Sequence, residues 1–333
     1  MIDELIFTIS LIFVNIFLFK IFIKLFNKLK IYDEPDFSRK IHTSNVPLVG
    51  GVIFLLNIFL YVLTNIFIDA TAYFNSIREL LAFLTGSFLI FLVGLYDDKY
   101  ILKPNTKLIL ISIIIMTTLS IDNSFEIKFI NVLFNEKVIL LKTFGTVFTI
   151  FCFLVFLNAF NMIDGVNGLS ASYFLACLVY IMVLNHNFYF FIFLIVPAII
   201  FLLFNFRNKA FLGDGGSLLL GFILSCLFIK THNQQLIFAD QITLLMLIPG
   251  IDMLRVAVLR ILKKKHPFDA DQSHLHHLLL KKYTPKISYL LIITFITISI
   301  LLSKIIESKF INLFLILIIL ICYFSYINFR RLK

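Results

Sequence analysis

Four short stretches of this chain carry residue types that could do chemistry. The first holds two adjacent carboxylates, Asp97 and Asp98, in GLYDDKYILKPNTK. Like charges so close, partly desolvated, resist ionising together, which suits a metal site or a general base, or else a solvated helix end with Lys99 as counter-ion. The second is FLGDGGS, where Asp214 stands among Gly213, Gly215 and Gly216. Such a stretch either lets a backbone approach a phosphate and its divalent cation, or is a plain flexible turn. The third is HLHH, with His274, His276 and His277 beside Arg260 and residues 263–265, a cationic cluster without zinc-ligand spacing. Phosphate or sugar contact, structural zinc and a solvated loop remain open for it. The fourth, NAFNMIDGVNGLS, sets Asn158, Asn161, Asp164 and Asn167 after an apolar run. Gly165 and Gly168 argue for a helix broken there, with amides and carboxylate turned toward one pocket.

The elements that must position these residues are membrane helices. Of 333 residues 60% are hydrophobic, 41 are Phe, and the mean hydropathy is +1.01, too apolar for a soluble core. Runs long enough to approach a bilayer crossing fall at 5–25, 48–68, 80–96, 108–121, 144–160, 169–184, 188–206, 218–229, 242–261, 287–302 and 310–327. The expected fold is therefore an all-α polytopic membrane protein of about 11 transmembrane helices, with residues 1–333 forming one integral membrane domain. Asp3 and Glu4 occupy the place of a basic signal-peptide start, so the first run is expected to stay as an anchor. Residues 125–141 alternate around a turn and predict a small external β-hairpin, with a reentrant or interfacial segment as the alternative. The cysteines Cys152, Cys177, Cys226 and Cys322 stand singly in apolar runs and read as small core residues.

Charge gives the orientation. Of 29 Lys and Arg, only Arg78, Lys128, Lys137, Lys142, Lys230, Lys304 and Lys309 fall on the side of the N-terminus. The positive-inside rule then puts the N-terminus outside and the C-terminus in the cytoplasm. The net charge of +10 reads as a topology signal and an attraction to anionic headgroups, not as a nucleic-acid surface, since it is scattered over several loops. All four chemistry-bearing stretches, with 32–51, fall on the cytoplasmic side. Clustered carboxylates favour Mg²⁺ or Mn²⁺, and basic loops and His offer countercharge for phosphate oxygens. The residues alone thus point to a membrane enzyme handling a phosphorylated substrate at the cytoplasmic face.

In order, RKIHTSNVPLVGG, GLYDDKYILKP, NAFNMIDGVNGLS, FLGDGGSLLLG and PFDADQSHLHHLL resemble the polyprenyl-phosphate N-acetylhexosamine-1-phosphate transferases of glycosyltransferase family 4, over residues 33–280. The likeness is to the WecA/TagO-type branch, which takes UDP-N-acetylglucosamine (UDP-GlcNAc), more than to the MraY branch. It implies transfer of a sugar 1-phosphate from a UDP-sugar to undecaprenyl phosphate in the bacterial plasma membrane, releasing UMP. The product would be the lipid-linked sugar diphosphate that starts cell-surface glycan synthesis. It also implies Mg²⁺, with Mn²⁺ as the alternative, held chiefly by Asp214. One of Asp97 and Asp98 would deprotonate or orient the lipid phosphate. Phe211 would stack on uracil, Asn161, Asp164 and Asn167 would line the nucleotide side, and His274, His276 and His277 the sugar and diphosphate. Arg39, Lys40 and His42 would border the cleft, and a homodimer is an open expectation.

Two positions depart from the family pattern. Asn167 stands where many relatives have Asp, and Gln272 where they often have Arg. The competing reading is a secondary transporter, for which Asp252, inside the ninth run near Pro249 and Gly250, is the sign. A cleft-facing Asp252 paired with Arg255 one turn on fits the same residues.

Overall fold

A computed structural model describes residues 2–35, 44–67, 73–132, 135–264 and 273–305. The described part is helical, with two small antiparallel sheets. The N-terminal helix α1 (Ile2–Leu29) leads into a short ribbon, β1 (Tyr32–Asp33) paired with β2 (Val46–Pro47), Tyr32 opposite Pro47. Then come α2 (Gly50–Phe67), α3 (Ile77–Tyr100) and α4 (Pro104–Ile121). The hairpin β3 (Phe129–Val132) and β4 (Asn135–Leu140) follows, with Ile130 opposite Ile139. The remaining helices are α5 (Gly145–Ile163), α6 (Leu169–Asn185), α7 (Phe188–Asn205), α8 (Gly213–Asn233), α9 (Ala239–Leu245), α10 (Leu247–Leu262), α11 (Leu275–Leu280) and α12 (Pro285–Ile305).

The first ten apolar runs thus coincide with helices, and the run 310–327 lies outside the described residues. Among the described residues, six helices are long and apolar enough to cross a membrane, or seven with the bent pair α9 and α10 as one span. Gly50–Asn65, Leu169–Asn185 and Pro285–Ile298 are shorter apolar helices. The expected hairpin near 125–141 is present.

The bend of 72° between α9 and α10 departs from the single run expected at 242–261, and its cause is local. Pro249 has no N–H to give the carbonyl four residues back, that of Leu245. The Tyr173 hydroxyl donates to that carbonyl at 3.1 Å, so the broken ladder stays satisfied.

The central element is α8, buried over most of its length and packed by α2, α3, α5 and α6. Its partner α3 runs antiparallel to it. A Cβ on Gly94 of α3 would lie 2.5 Å from the Asp214 carbonyl oxygen and the Gly215 Cα, so only glycine admits this approach. At the far end of the pair, Lys230 Nζ lies 2.5 Å from Glu79 Oε1 and 2.7 Å from the Tyr73 carbonyl, with the Tyr73 ring beneath it. Glu79 also begins α3: Ser76 accepts its N–H at 3.0 Å, and its own Oε2 accepts from Asn75 N–H at 2.7 Å. The β3–β4 hairpin belongs to this same end, through His232 Nε2 at 3.1 Å from the Phe129 carbonyl. Outside the core, α1 exposes Phe13 and Phe17 and is tied to α2 by reciprocal amide bonds between Asn15 and Asn57 at 2.9 and 2.7 Å.

Candidate active site

The end of the bundle opposite Glu79 and Lys230 is built around the first turn of α8. A helix start leaves backbone N–H groups without partners. Here Asp98, from the end of α3, supplies them: Oδ1 accepts from Asp214 N–H at 2.7 Å and Oδ2 from Gly215 N–H at 3.0 Å. Gly213 makes room, with φ +68°, and a Cβ on it would fall 2.6 Å from Asp98 Oδ2.

Asp97 turns the other way. Its Oδ2 is 2.7 Å from Lys107 Nζ, and its Oδ1 accepts from Leu102 N–H at 2.5 Å. The same Lys107 Nζ is 2.8 Å from Asp214 Oδ2. One ammonium therefore holds carboxylates from α3 and α8 together. Lys107 was not singled out by sequence, although it closes the stretch that carries Asp97 and Asp98. Its signal is position: Pro104 starts α4, and Lys107 faces back from that first turn toward the acidic pair.

A second wall comes from the break between α5 and α6, where Gly165 and Gly168 were expected to interrupt the helix. Asn161, in the last turn of α5, accepts from Ser217 Oγ of α8 at 2.6 Å. Asp164 accepts a short hydrogen bond from Ser170 Oγ. Burial pushes the Asp164 carboxyl up to about 7, the nearby charges of Asp214 and Asp33 push the same way, and the Ser170 bond opposes them. Gly168, at φ +83°, donates to Asn205 Oδ1 at 2.5 Å, and Asn205 Nδ2 donates to the Ala210 carbonyl at 2.9 Å. Asn167 Nδ2 donates to Asn208 Oδ1 at 2.5 Å. An aspartate at 167 would have only acceptors, so Asn208 would have to turn its amide around. Asn158, by contrast, bonds back to the Leu154 carbonyl at 2.6 Å within its own helix. Phe211 is fixed by its backbone to the β2 side, its N–H to the Pro47 carbonyl and its carbonyl to Gly50 N–H, both at 3.0 Å.

The histidines form the third wall. A Cβ on Gly165 would lie 2.2 Å from His276 Nε2, so the ring rests against the broken loop. His277 stacks obliquely on His276 at 4.1 Å, and His274 lies parallel to it at 5.9 Å. Burial, then His277 and His274, push His276 down to about 3. Lowered in this way, the His276 ring offers hydrogen bonds, while positive charge in the cluster is left to its basic neighbours such as Arg260. His274 is buried, with Nδ1 3.0 Å from Asp252 Oδ2 and Nε2 3.3 Å from Arg260 Nη2. Asp252 is also 2.8 Å from Arg255 Nη2, which is the paired arrangement and not the open midplane acid a transporter would need. Arg39, Lys40, His42 and Gln272 lie outside the described residues.

No three His, Cys, Asp or Glu side chains among the described residues are placed to hold an ion by themselves. The donor set nonetheless suits a hard cation that takes part of its shell from phosphate: two carboxylate oxygens already converge on one positive charge, and the Asp214 side chain, at 35% exposure, is the more open of the two.

A bundle of apolar helices with acids, a lysine and histidines gathered at one end has the architecture of a multi-pass membrane protein with one polar cluster. The model of glycosyl transferase family 4 matches residues 80–232, which hold all of the first and second walls that follow α2. The undecaprenyl-phosphate alpha-N-acetylglucosaminyl 1-phosphate transferase of Salmonella typhi is 28% identical over 299 residues, 84% of this chain and 78% of that protein. Its namesake in Escherichia coli (strain K12) is 26% identical over 307 residues, 86% and 80% of the two chains. The probable undecaprenyl-phosphate N-acetylglucosaminyl 1-phosphate transferase of Bacillus subtilis (strain 168) is 30% identical over 263 residues, 76% and 70%. The chain belongs to glycosyl transferase family 4, and it is a multi-pass membrane transferase.

Proposed function

We propose that this protein transfers N-acetylglucosamine 1-phosphate from UDP-GlcNAc to undecaprenyl phosphate, releasing UMP and leaving a lipid-linked sugar diphosphate. An oxygen of the lipid phosphate attacks the sugar-bearing phosphorus, a new P–O bond forms, and the bond from that phosphorus to the UMP oxygen breaks. The observation that carries the reading is the meeting of Asp97, Asp98 and Asp214 with Lys107 at one end of the α3–α8 pair. Phosphoryl transfer asks a protein mainly for positioning and for neutralised charge. Lys107 supplies positive charge where phosphate oxygens would gather. Asp98, with both oxygens on α8 amides, fixes the backbone that carries Asp214. Asp97 is left to orient Lys107 and the incoming lipid phosphate.

Mg²⁺, or Mn²⁺, would be held by Asp214 with help from Asp97, and would act as a Lewis acid on the diphosphate. Asn161, Asp164, Asn167 and Phe211 would receive the nucleotide, and neutral His276 with His277 would meet the sugar and diphosphate by hydrogen bonds. The site would face the cytoplasm of a bacterial plasma membrane with the N-terminus outside, in keeping with the lysine and arginine distribution. Purified protein supplied with undecaprenyl phosphate, Mg²⁺ and a panel of UDP-sugars should release UMP best from UDP-GlcNAc. Preference for another N-acetylhexosamine would change the sugar, and no release from any donor would end the proposal.

A further inference from the structure

The Asp252 that sequence left unassigned lies where three elements meet. It is buried in α10, and its carboxylate meets, among the described residues, Arg255 Nη2 at 2.8 Å, His274 Nδ1 at 3.0 Å, and the Leu275 N–H with both oxygens at 3.0 Å. Arg255 Nη2 also donates to the Ser273 carbonyl at 2.5 Å, and Arg260, buried on the same helix, reaches His274 Nε2 at 3.3 Å. Two arginines and one aspartate of α10 thus grip both edges of the His274 ring and the backbone at the start of α11. His274 in turn lies parallel to His276, and His276 rests on Gly165 of the broken loop.

A buried carboxylate is stabilised only by such partners, and this one has the Arg255 guanidinium, the His274 ring N–H and a backbone amide. On one side, Asp252 accepts the Nδ1 proton of His274. On the other, Arg260 can only donate, so Nε2 must accept. The pair therefore sets both the tautomer and the plane of the ring, as a carboxylate does for a working histidine.

We propose that Asp252 and Arg260 are positioning residues that act through His274. On this view His274 is the post on which His276 and His277 are mounted, and His276 and His277 make the contacts with the UDP-sugar. The proposal rests on the transferase reading and divides three adjacent histidines into one holder and two contacts.

The test is a cycle of Asp252→Asn, His274→Gln and the double variant, purified in detergent, with kcat and KM measured separately for UDP-GlcNAc and undecaprenyl phosphate. Asparagine keeps one acceptor oxygen of the two, so either Arg255 or the His274 Nδ1–H is left facing an N–H, and each single variant should lose about tenfold or more in kcat/KM for the UDP-sugar, a misplacement effect. KM for the lipid should stay near the wild-type value, and the double variant should lose no more than the worse single one. Losses that multiply would make His274 an independent substrate contact and overturn the inference, as would unchanged UDP-sugar kinetics in Asp252→Asn. Should Asp252→Asn fail to purify as a folded species, Arg260→Gln closes the same cycle from the other ring nitrogen. Wild-type protein that releases no UMP would sink the transferase reading itself, whereas active wild type with multiplying losses would sink only this inference.

Discussion

Lys107 places one positive charge 2.7 Å from Asp97 and 2.8 Å from Asp214. Removing it leaves two carboxylates from different helices facing each other with their cation gone. Lys107→Met should cut the rate of UMP release by about a hundredfold, and Lys107→Arg should fall between, since a planar guanidinium cannot reproduce a point ammonium. Steady-state assays on protein of verified fold decide this, and a fully active Lys107→Met would remove the lysine from the site. Asp164 and His276 make predictions in pH. Asp164, raised to about 7, keeps its proton in the folded chain where an unfolded aspartate has lost it, so its contribution to stability declines as pH rises from about 4 to 7. His276, lowered to about 3, acts in the opposite sense and gains stability as pH rises from about 3 to 6.5. The two offset each other in the wild type, so a variant is needed to separate them. Asp164→Asn should melt at an increasingly higher temperature than wild type between about pH 5 and pH 7 in metal-free buffer. A difference that stays flat across that window would show that Asp164 is ionised throughout.

Among the elements, the contact between α3 and α8 sets the site more than any other. Gly94→Ala would drive a methyl group into the backbone of Asp214 and Gly215, which cannot swing aside as a side chain can. Thermal unfolding in detergent should show a loss of several kcal/mol, about 3 or more, together with loss of activity; a normal melting temperature would mean that the helices separate at little cost. Helix existence was legible from run length, because the bilayer imposes it, and so was the break between α5 and α6, because Gly165 and Gly168 stand inside a polar stretch. The kink at Met246 was not read, although Pro249 was in view, because the acceptor it frees is satisfied by Tyr173 from another helix. The β1–β2 ribbon was missed for a similar reason: a two-residue strand has no alternation to read. Asp98 and Lys107 illustrate the limit at the site. Both were visible as charges near a common face, but that Asp98 caps α8 and Lys107 bridges α3 to α8 depends on contacts across more than a hundred residues of sequence.

At the scale of the whole molecule, polar chemistry is divided between two ends. The end with Asp97, Asp98, Lys107, Asp164 and Asp214 is separated from the end with Glu79, Lys230 and the β3–β4 hairpin by the stretch of α3 from Glu79 to Asp97, about 27 Å at 1.5 Å per residue. That distance is close to the roughly 30 Å of a bilayer's hydrocarbon, and the proposed topology puts the two ends at opposite surfaces. In a background without the native cysteines, Lys128→Cys should react with a membrane-impermeant maleimide on intact cells, and Asn105→Cys only after permeabilisation. The reverse pattern would invert the orientation. The central claim is that the carboxylate and lysine cluster at the head of α8 performs phosphoryl transfer. Its most direct measurement is UMP released by purified protein from UDP-GlcNAc and undecaprenyl phosphate, compared between wild type and Asp214→Ala. Release should equal the lipid-linked product in amount, stop with a chelator, return with Mg²⁺ and be absent in Asp214→Ala. Undiminished release by Asp214→Ala would contradict the claim.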